Sequence, residues 1–199
     1  MYRTSVCVVL FSMTGGCIDL DPKLDPTRFY VLTEPTPIKA SGILKTLNVG
    51  LLIIEMPDYL KTSKIVLRRE GSEITYSEFN RWAEDLEQGI ARVLYSHLAN
   101  KLPGVKISRF PWSAPTELDY RVKIRLTRFD GVRGGLVAIH AGWSIVGKGG
   151  ETVDSGDFRF NGMWNGTKYG TLVSELGTGL AQLSDEIGVA ISKVSDPSR

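Results

Sequence analysis

The chain has 199 residues, enough for one domain whose hydrophobic core needs neither disulfides nor metals. Its formal net charge is only +2, which argues against a dedicated nucleic-acid binder with a strong basic excess. Composition alone leaves a globular domain, or one domain with an extension.

Met1–Ser5 carries one positive charge, Arg3. Val6–Met13 (VCVVLFSM) is apolar, and Thr14-Gly15-Gly16 is a run of small residues before Cys17. Charge, short apolar core and small residues in that order make a secretory signal. The run is too short to span a bilayer, which takes about 20 apolar residues. A cysteine directly after the small residues resembles the bacterial lipobox, although Thr14 stands where leucine is usual. That resemblance implies cleavage before Cys17, diacylation of its thiol and acylation of its new amine. The only other cysteine, Cys7, would leave with residues 1–16. Cys17 would then have no disulfide partner in an oxidising compartment, and acylation gives it a role. The competing reading is an ordinary signal with an incidental cysteine. Ile18 follows the cysteine where aspartate would favour inner-membrane retention in enteric-type lipoproteins, so the expected site is the periplasmic face of the outer membrane.

Residues 17–27 read as an acylated tether with Pro22 and Pro26, and residues 28–194 as one domain, with 195–199 as a tail. Arg28–Leu32 is a short predicted strand. Leu47–Met56 is nearly continuously apolar and reads as a central strand. Pro57-Asp58-Tyr59-Leu60 ends it. Ser63–Arg69 and Ser72–Tyr76 flank Glu70-Gly71 as a hairpin.

Arg81–Leu102 is the one long helix expected in this half. Ala83, Leu86, Ile90, Val93, Leu94 and Leu98 share a face, with Glu84, Asp85 and Glu87 in the first turn and Pro103-Gly104 at the end. Val105–Phe110 is a short strand before the loop Pro111–Pro115. Leu118–Phe129 alternates, with Arg121, Lys123 and Arg125 on the polar side. Asp130–Gly135 reads as a turn. Leu136–Val146 and Thr152–Asn161 complete a three-stranded meander. Lys168–Val194 is a second helix, with Tyr169, Leu172, Val173, Leu176, Leu180, Leu183, Ile187, Ile191 and Val194 in its apolar stripe. That stripe packs on the sheet or partly meets another subunit. The expected fold is α+β: a mixed, mostly antiparallel sheet with two long amphipathic helices on one face.

No catalytic constellation emerges, so no enzyme activity, cofactor or metal is expected. His97 and His140 have no ligand spacing, no GxSxG elbow is present, and Gly147-Lys148-Gly149-Gly150 lacks the phosphate-loop pattern. The period-two line of Arg121, Lys123 and Arg125 is either a solvated sheet face or a docking surface for an acidic partner or lipid headgroups. Tyr59 is a second candidate contact, unless the turn merely packs inward.

The series Phe29-Tyr30-Val31-Leu32, Met56-Pro57-Asp58-Tyr59-Leu60, Ile65-Val66-Leu67-Arg68, Arg81-Trp82-Ala83-Glu84-Asp85-Leu86, Leu98-Ala99-Asn100-Lys101-Leu102 and Phe110-Pro111-Trp112, followed by Tyr120-Arg121-Val122, Phe129-Asp130-Gly131 and Ala141-Gly142-Trp143, resembles the ABC-type transport auxiliary lipoproteins, the PqiC (paraquat-inducible protein C) family. The likeness runs from about Arg28 to Val194, with Asp85 where relatives often carry proline. It implies a non-catalytic outer-membrane lipoprotein of an Mce-type lipid transport and membrane-integrity system. The implied partners are a periplasm-spanning Mce-domain protein, an inner-membrane permease and further copies of this chain in a ring, with no nucleic acid. A stand-alone periplasmic lipoprotein that binds a lipid or other apolar ligand is the alternative.

Overall fold

The computed structural model describes residues 24–36, 47–69, 72–112 and 117–195. The predicted signal, Cys17, most of the tether and residues 196–199 of the tail lie outside the described residues.

The strands are β1 (Arg28–Tyr30), β2 (Leu47–Glu55), β3 (Lys64–Arg68), β4 (Ile74–Trp82), β5 (Val105–Arg109), β6 (Tyr120–Val132), β7 (Leu136–Gly147) and β8 (Thr152–Met163). The helices are α1 (Leu86–Lys101) and α2 (Tyr169–Ser195), and a single 3-10 turn spans Asp58–Leu60. All the strands join one mixed sheet. The β6–β7 and β7–β8 ladders form the expected antiparallel meander.

The other side of β6 is shared. β2 runs parallel to its first half from Tyr120 to Arg125, and β3 runs parallel to its end at Gly131 and Val132. Pro57 and the 3-10 turn separate these two segments, so β2 and β3 follow one another along the same flank. From β2 the sheet continues to β5, and from β3 to β4 and β1.

Both helices pack on one face, α1 over β2 and β5 and α2 over β7 and β8, with the two in contact. The core between the layers includes Val122, Ile124, Ile139, Ile145, Ile90, Leu94, Leu180 and Ile187, all fully buried. Packing there is close. A Cβ added at Gly179 would stand 2.6 Å from Ile139 Cδ1 and 2.7 Å from Phe160 Cδ1, and one at Gly131 would stand 2.6 Å from Leu172 Cδ1. The stripe of α2 is consumed by this packing: Leu172, Leu176, Leu180, Leu183, Ile187 and Ile191 are all buried. Tyr169 and Val194, at its two ends, are only half-buried.

Two boundaries differ from the sequence reading. Arg81 and Trp82 belong to β4, where they pair with Phe29 and Tyr30 of β1, and Trp82 N–H donates to Ser63 O at 2.7 Å. The helix starts later because Asp85 caps it; its carboxylate accepts from Gln88 N–H at 3.0 Å. Asp85 is thus the cap rather than a first-turn residue. Asp130 and Gly131 continue β6 instead of turning, and the tight turn falls at Arg133–Gly135, where Gly134 takes φ +70°.

Arg92, on the polar side of α1, ties the segment after β1 to the helix. It donates to Glu34 Oε1 and Glu84 Oε1 at 2.5 Å each and to Leu32 O at 3.0 Å.

Replacing Gly179 by leucine should destabilise the domain by about 1–3 kcal/mol through overpacking against the rigid Phe160 ring, outweighing the gain of about 0.8 kcal/mol in helix propensity. Urea unfolding measures it. A variant as stable as the parent would show that the layers are not in close contact.

Candidate functional site

The helices cover one face of the sheet; among the described residues no helix or strand packs on the other, although Trp112 and Leu118 lie over Gly50 there. The register fixes which side chains line the bare face. Across neighbouring strands, Arg121 stands beside Gly50 and Val146, Lys123 beside Leu52 and Ser144, and Arg125 beside Glu55 and Gly142. Beyond β7 the rows continue to Ser155, Asp157 and Arg159. Within the basic column of β6, Arg125 is exposed, and Arg121 and Lys123 are half-buried. Next to Lys123 and Arg125 is an open trough of about 340 Å³, lined by Gly142, Ser144, Ser155 and Asp157.

The three predicted basic residues are therefore brought to one surface, as the alternation requires. They are not equivalent. Arg125 is ion-paired with Glu55 at 2.5 Å, and both side chains are more than half exposed. Among the described residues, no ion pair engages Arg121 or Lys123.

The column extends further than alternation reveals. Counting by twos from Leu118 places Arg128 on the core side. A β-bulge between Leu126 and Arg128 shifts the phase, so Phe129 and Gly131 face the helices while Arg128 and Asp130 face the bare side. No local signal in the sequence marks that bulge.

Asp130 is 1% exposed and carries a carboxylate. Burying a charge is costly unless it is paired and hydrogen-bonded. Arg128 Nε donates to its Oδ1 at 2.9 Å, and Arg68 donates to its Oδ2 through Nη2 at 3.1 Å and Nε at 3.3 Å. Arg68 in turn donates to the Tyr59 hydroxyl at 3.4 Å and lies 5.9 Å from that ring's centroid. So Tyr59, the other predicted contact, is half-buried and helps to hold the 3-10 turn against β3. Burial, with Asp130 nearby, raises the Tyr59 phenol above its ordinary range.

His140 lies opposite Arg128 and Arg159. Burial, reinforced by those two guanidiniums, holds its imidazole below the ordinary value. Its neutral form is favoured, and the positive charge of this face comes from arginine and lysine. His97 lies elsewhere, in a groove beside α2, and burial lowers its pKa as well. Among the described residues, no group of His, Cys, Asp and Glu is placed to hold a metal. No described helix is long and apolar enough to cross a membrane. The arrangement can recognise charge by shape and polarity.

The model of a family described as ABC-type transport auxiliary lipoprotein component matches residues 30–188. No curated protein matches the sequence significantly. Among solved structures, protein XCC0632 from Xanthomonas campestris is similar in fold, with a TM-score of 0.71 at 14% identity over 87% of this chain and 100% of that one. A second structure, described only as an uncharacterized protein, gives 0.69 at 23% identity over 83% of this chain and 98% of the other.

Asp130→Ala should cost about 3–5 kcal/mol, because it strands two partly buried guanidiniums. Removing the exposed Arg125–Glu55 pair by Arg125→Ala should cost at most about 1 kcal/mol. Parallel urea titrations compare them, and equal losses would contradict the assigned roles.

Proposed function

The chain belongs to the ABC-type transport auxiliary lipoprotein component family, and from that premise we propose that it is the non-catalytic docking subunit of an Mce-type, PqiC-like lipid transport system. It is anchored by acylated Cys17 to the periplasmic face of the outer membrane. There it receives the far end of a periplasm-spanning Mce-domain protein whose other end meets an inner-membrane permease. The observation that carries this reading is the bare, basic sheet face. A sheet buried on one side only leaves its second face to water or to a partner. This one carries Arg121 and Lys123 without ion-pair partners among the described residues, above a trough of small side chains.

The ligand-binding alternative needs room inside the domain. The close approach of Gly179 to Ile139 and Phe160, and of Gly131 to Leu172, speaks against a cavity beneath α2. The clefts beside the basic column and beside α2 lie open at the surface.

Homo-oligomer formation has a geometric basis in the sheet edges. Among the described residues, β5 and β8 each lack a strand on their outer side. Arg109 of β5 and Asp154 of β8 end the same row across the sheet, through Leu51, Val122 and Ile145. One edge strand carries Lys106 and Arg109, and the other carries Asp154 and Asp157 against one base, Arg159. Opposite charge on opposite edges suits head-to-tail contact between copies, which closes into a ring when the rotation permits.

Two outcomes are expected. Arg121→Glu with Lys123→Glu should weaken capture of the Mce-domain partner, increasingly as salt is lowered, with a stability change of about 0.5 kcal/mol or less. Capture that is indifferent to both charge and salt would remove this face from the interface. Asp154→Lys with Asp157→Lys should lower the oligomer mass in native mass spectrometry. An unchanged oligomer would exclude the β8 edge.

A further inference from the structure

The two ends of the sheet differ. At one end lie the β6–β7 turn, the β3–β4 connection, the last residues of β8 and the first turn of α2. β1 runs parallel to β4 from Arg28 beside Asn80 to Tyr30 beside Trp82, while β4 starts beside Arg68. The chain therefore enters the domain from this same end, through Leu24–Thr27. At the opposite end are the β7–β8 turn and the last turns of both helices.

Large apolar side chains are exposed at the entry end. Leu136 and Met163 form a cross-strand pair, 49% and 68% exposed. Tyr76 and Phe79 are likewise exposed and line one cleft together with Arg69 and Arg133. Farther from that end, level with Lys64 at the start of β3, Phe29 is exposed beside Arg81. Arg69 pairs with Glu73 at 3.5 Å, Arg81 lies within electrostatic reach of Asp25, and Glu78 is a further acid in the cleft. Exposed apolar groups ringed by basic ones mark an interaction surface. A bilayer leaflet matches that pattern, since apolar tips sit at the headgroup boundary and cations meet phosphates.

We infer that this end of the domain rests on the leaflet that holds the lipid anchor, with Leu136, Met163 and Phe79 at the headgroup boundary and Arg133 on lipid phosphates. The occupant is settled by where the chain goes. A tether from Cys17 to Arg28 reaches at most about 40 Å when fully extended, and it approaches from the apolar end. The basic sheet face then stands on edge to the membrane and stays open to a partner from the periplasm. This placement rests on the acylation of Cys17.

The test uses the full mature chain reconstituted into phosphatidylethanolamine–phosphatidylglycerol vesicles. Nitroxide labels are attached at Leu136→Cys, Met163→Cys and, at the far end, Lys148→Cys. Intact mass first reports acylation of Cys17. Labels at 136 and 163 should be relaxed by oxygen several-fold more than by a water-soluble nickel chelate, with the reverse at 148. Labels at 136 and 163 as open to the chelate as the label at 148 overturn the placement while leaving the anchor intact. Shielding that comes with dipolar broadening from a second copy overturns it in favour of a protein contact. A chain without acyl mass at Cys17 refutes the anchor, and the placement with it.

Discussion

Only two residue pairs, Leu67 with Gly131 and Arg68 with Val132, join β3 to β6. The whole wing of β3, β4 and β1 depends on what surrounds that junction. On the helix side, Leu67 and Ile65 are buried in the core. On the bare side, Asp130 grips Arg68 from the wing and Arg128 from its own strand. A lone carboxylate there would be strongly disfavoured, and two lone guanidiniums would repel each other. Together they form a network that is satisfied only when the wing is docked. The same wing carries β1, and so decides where the chain enters. One polar junction thus links the direction of the tether to the direction in which the basic face looks.

Much of this fold is legible in the residues. The meander follows from strict alternation in Leu118–Leu126 and Val137–Ile145, and the helix layer follows from stripes at three- and four-residue steps. The misread stretches have physical explanations. Ala83 and Leu86 continue an apolar spacing that makes Arg81-Trp82 resemble helix, yet pairing with β1 holds them in a strand. The cap signal, Asp85 three residues before Gln88, marked the true start. Asp130-Gly131 carries the composition of a turn. The glycine is there for space, because Leu172 lies against it, and the aspartate is there for charge. Both reasons come from residues far along the chain.

The candidate site shows the same division. Arg121, Lys123 and Arg125 are readable because they precede the bulge. Arg128 is not readable, because a bulge reverses the faces after Leu126. Arg92 looks like a solvated helix residue until Glu34, Glu84 and Leu32 O are seen to converge on it. The sequence also leaves open how the apolar stripe of α2 is used; Leu172, Leu176, Leu180, Leu183, Ile187 and Ile191 are buried within the chain.

The central claim is that the bare face of the sheet meets a protein partner across the periplasm. The most direct measurement places a photo-crosslinking amino acid at position 123 in the full-length chain, in cells that express the complete transport system. The captured species are then identified by mass spectrometry. The account predicts capture of an Mce-domain protein from position 123 but not from position 182, an exposed residue of α2 on the covered side of the sheet. Equal capture from both positions, or recovery of lipid alone from 123, would contradict it.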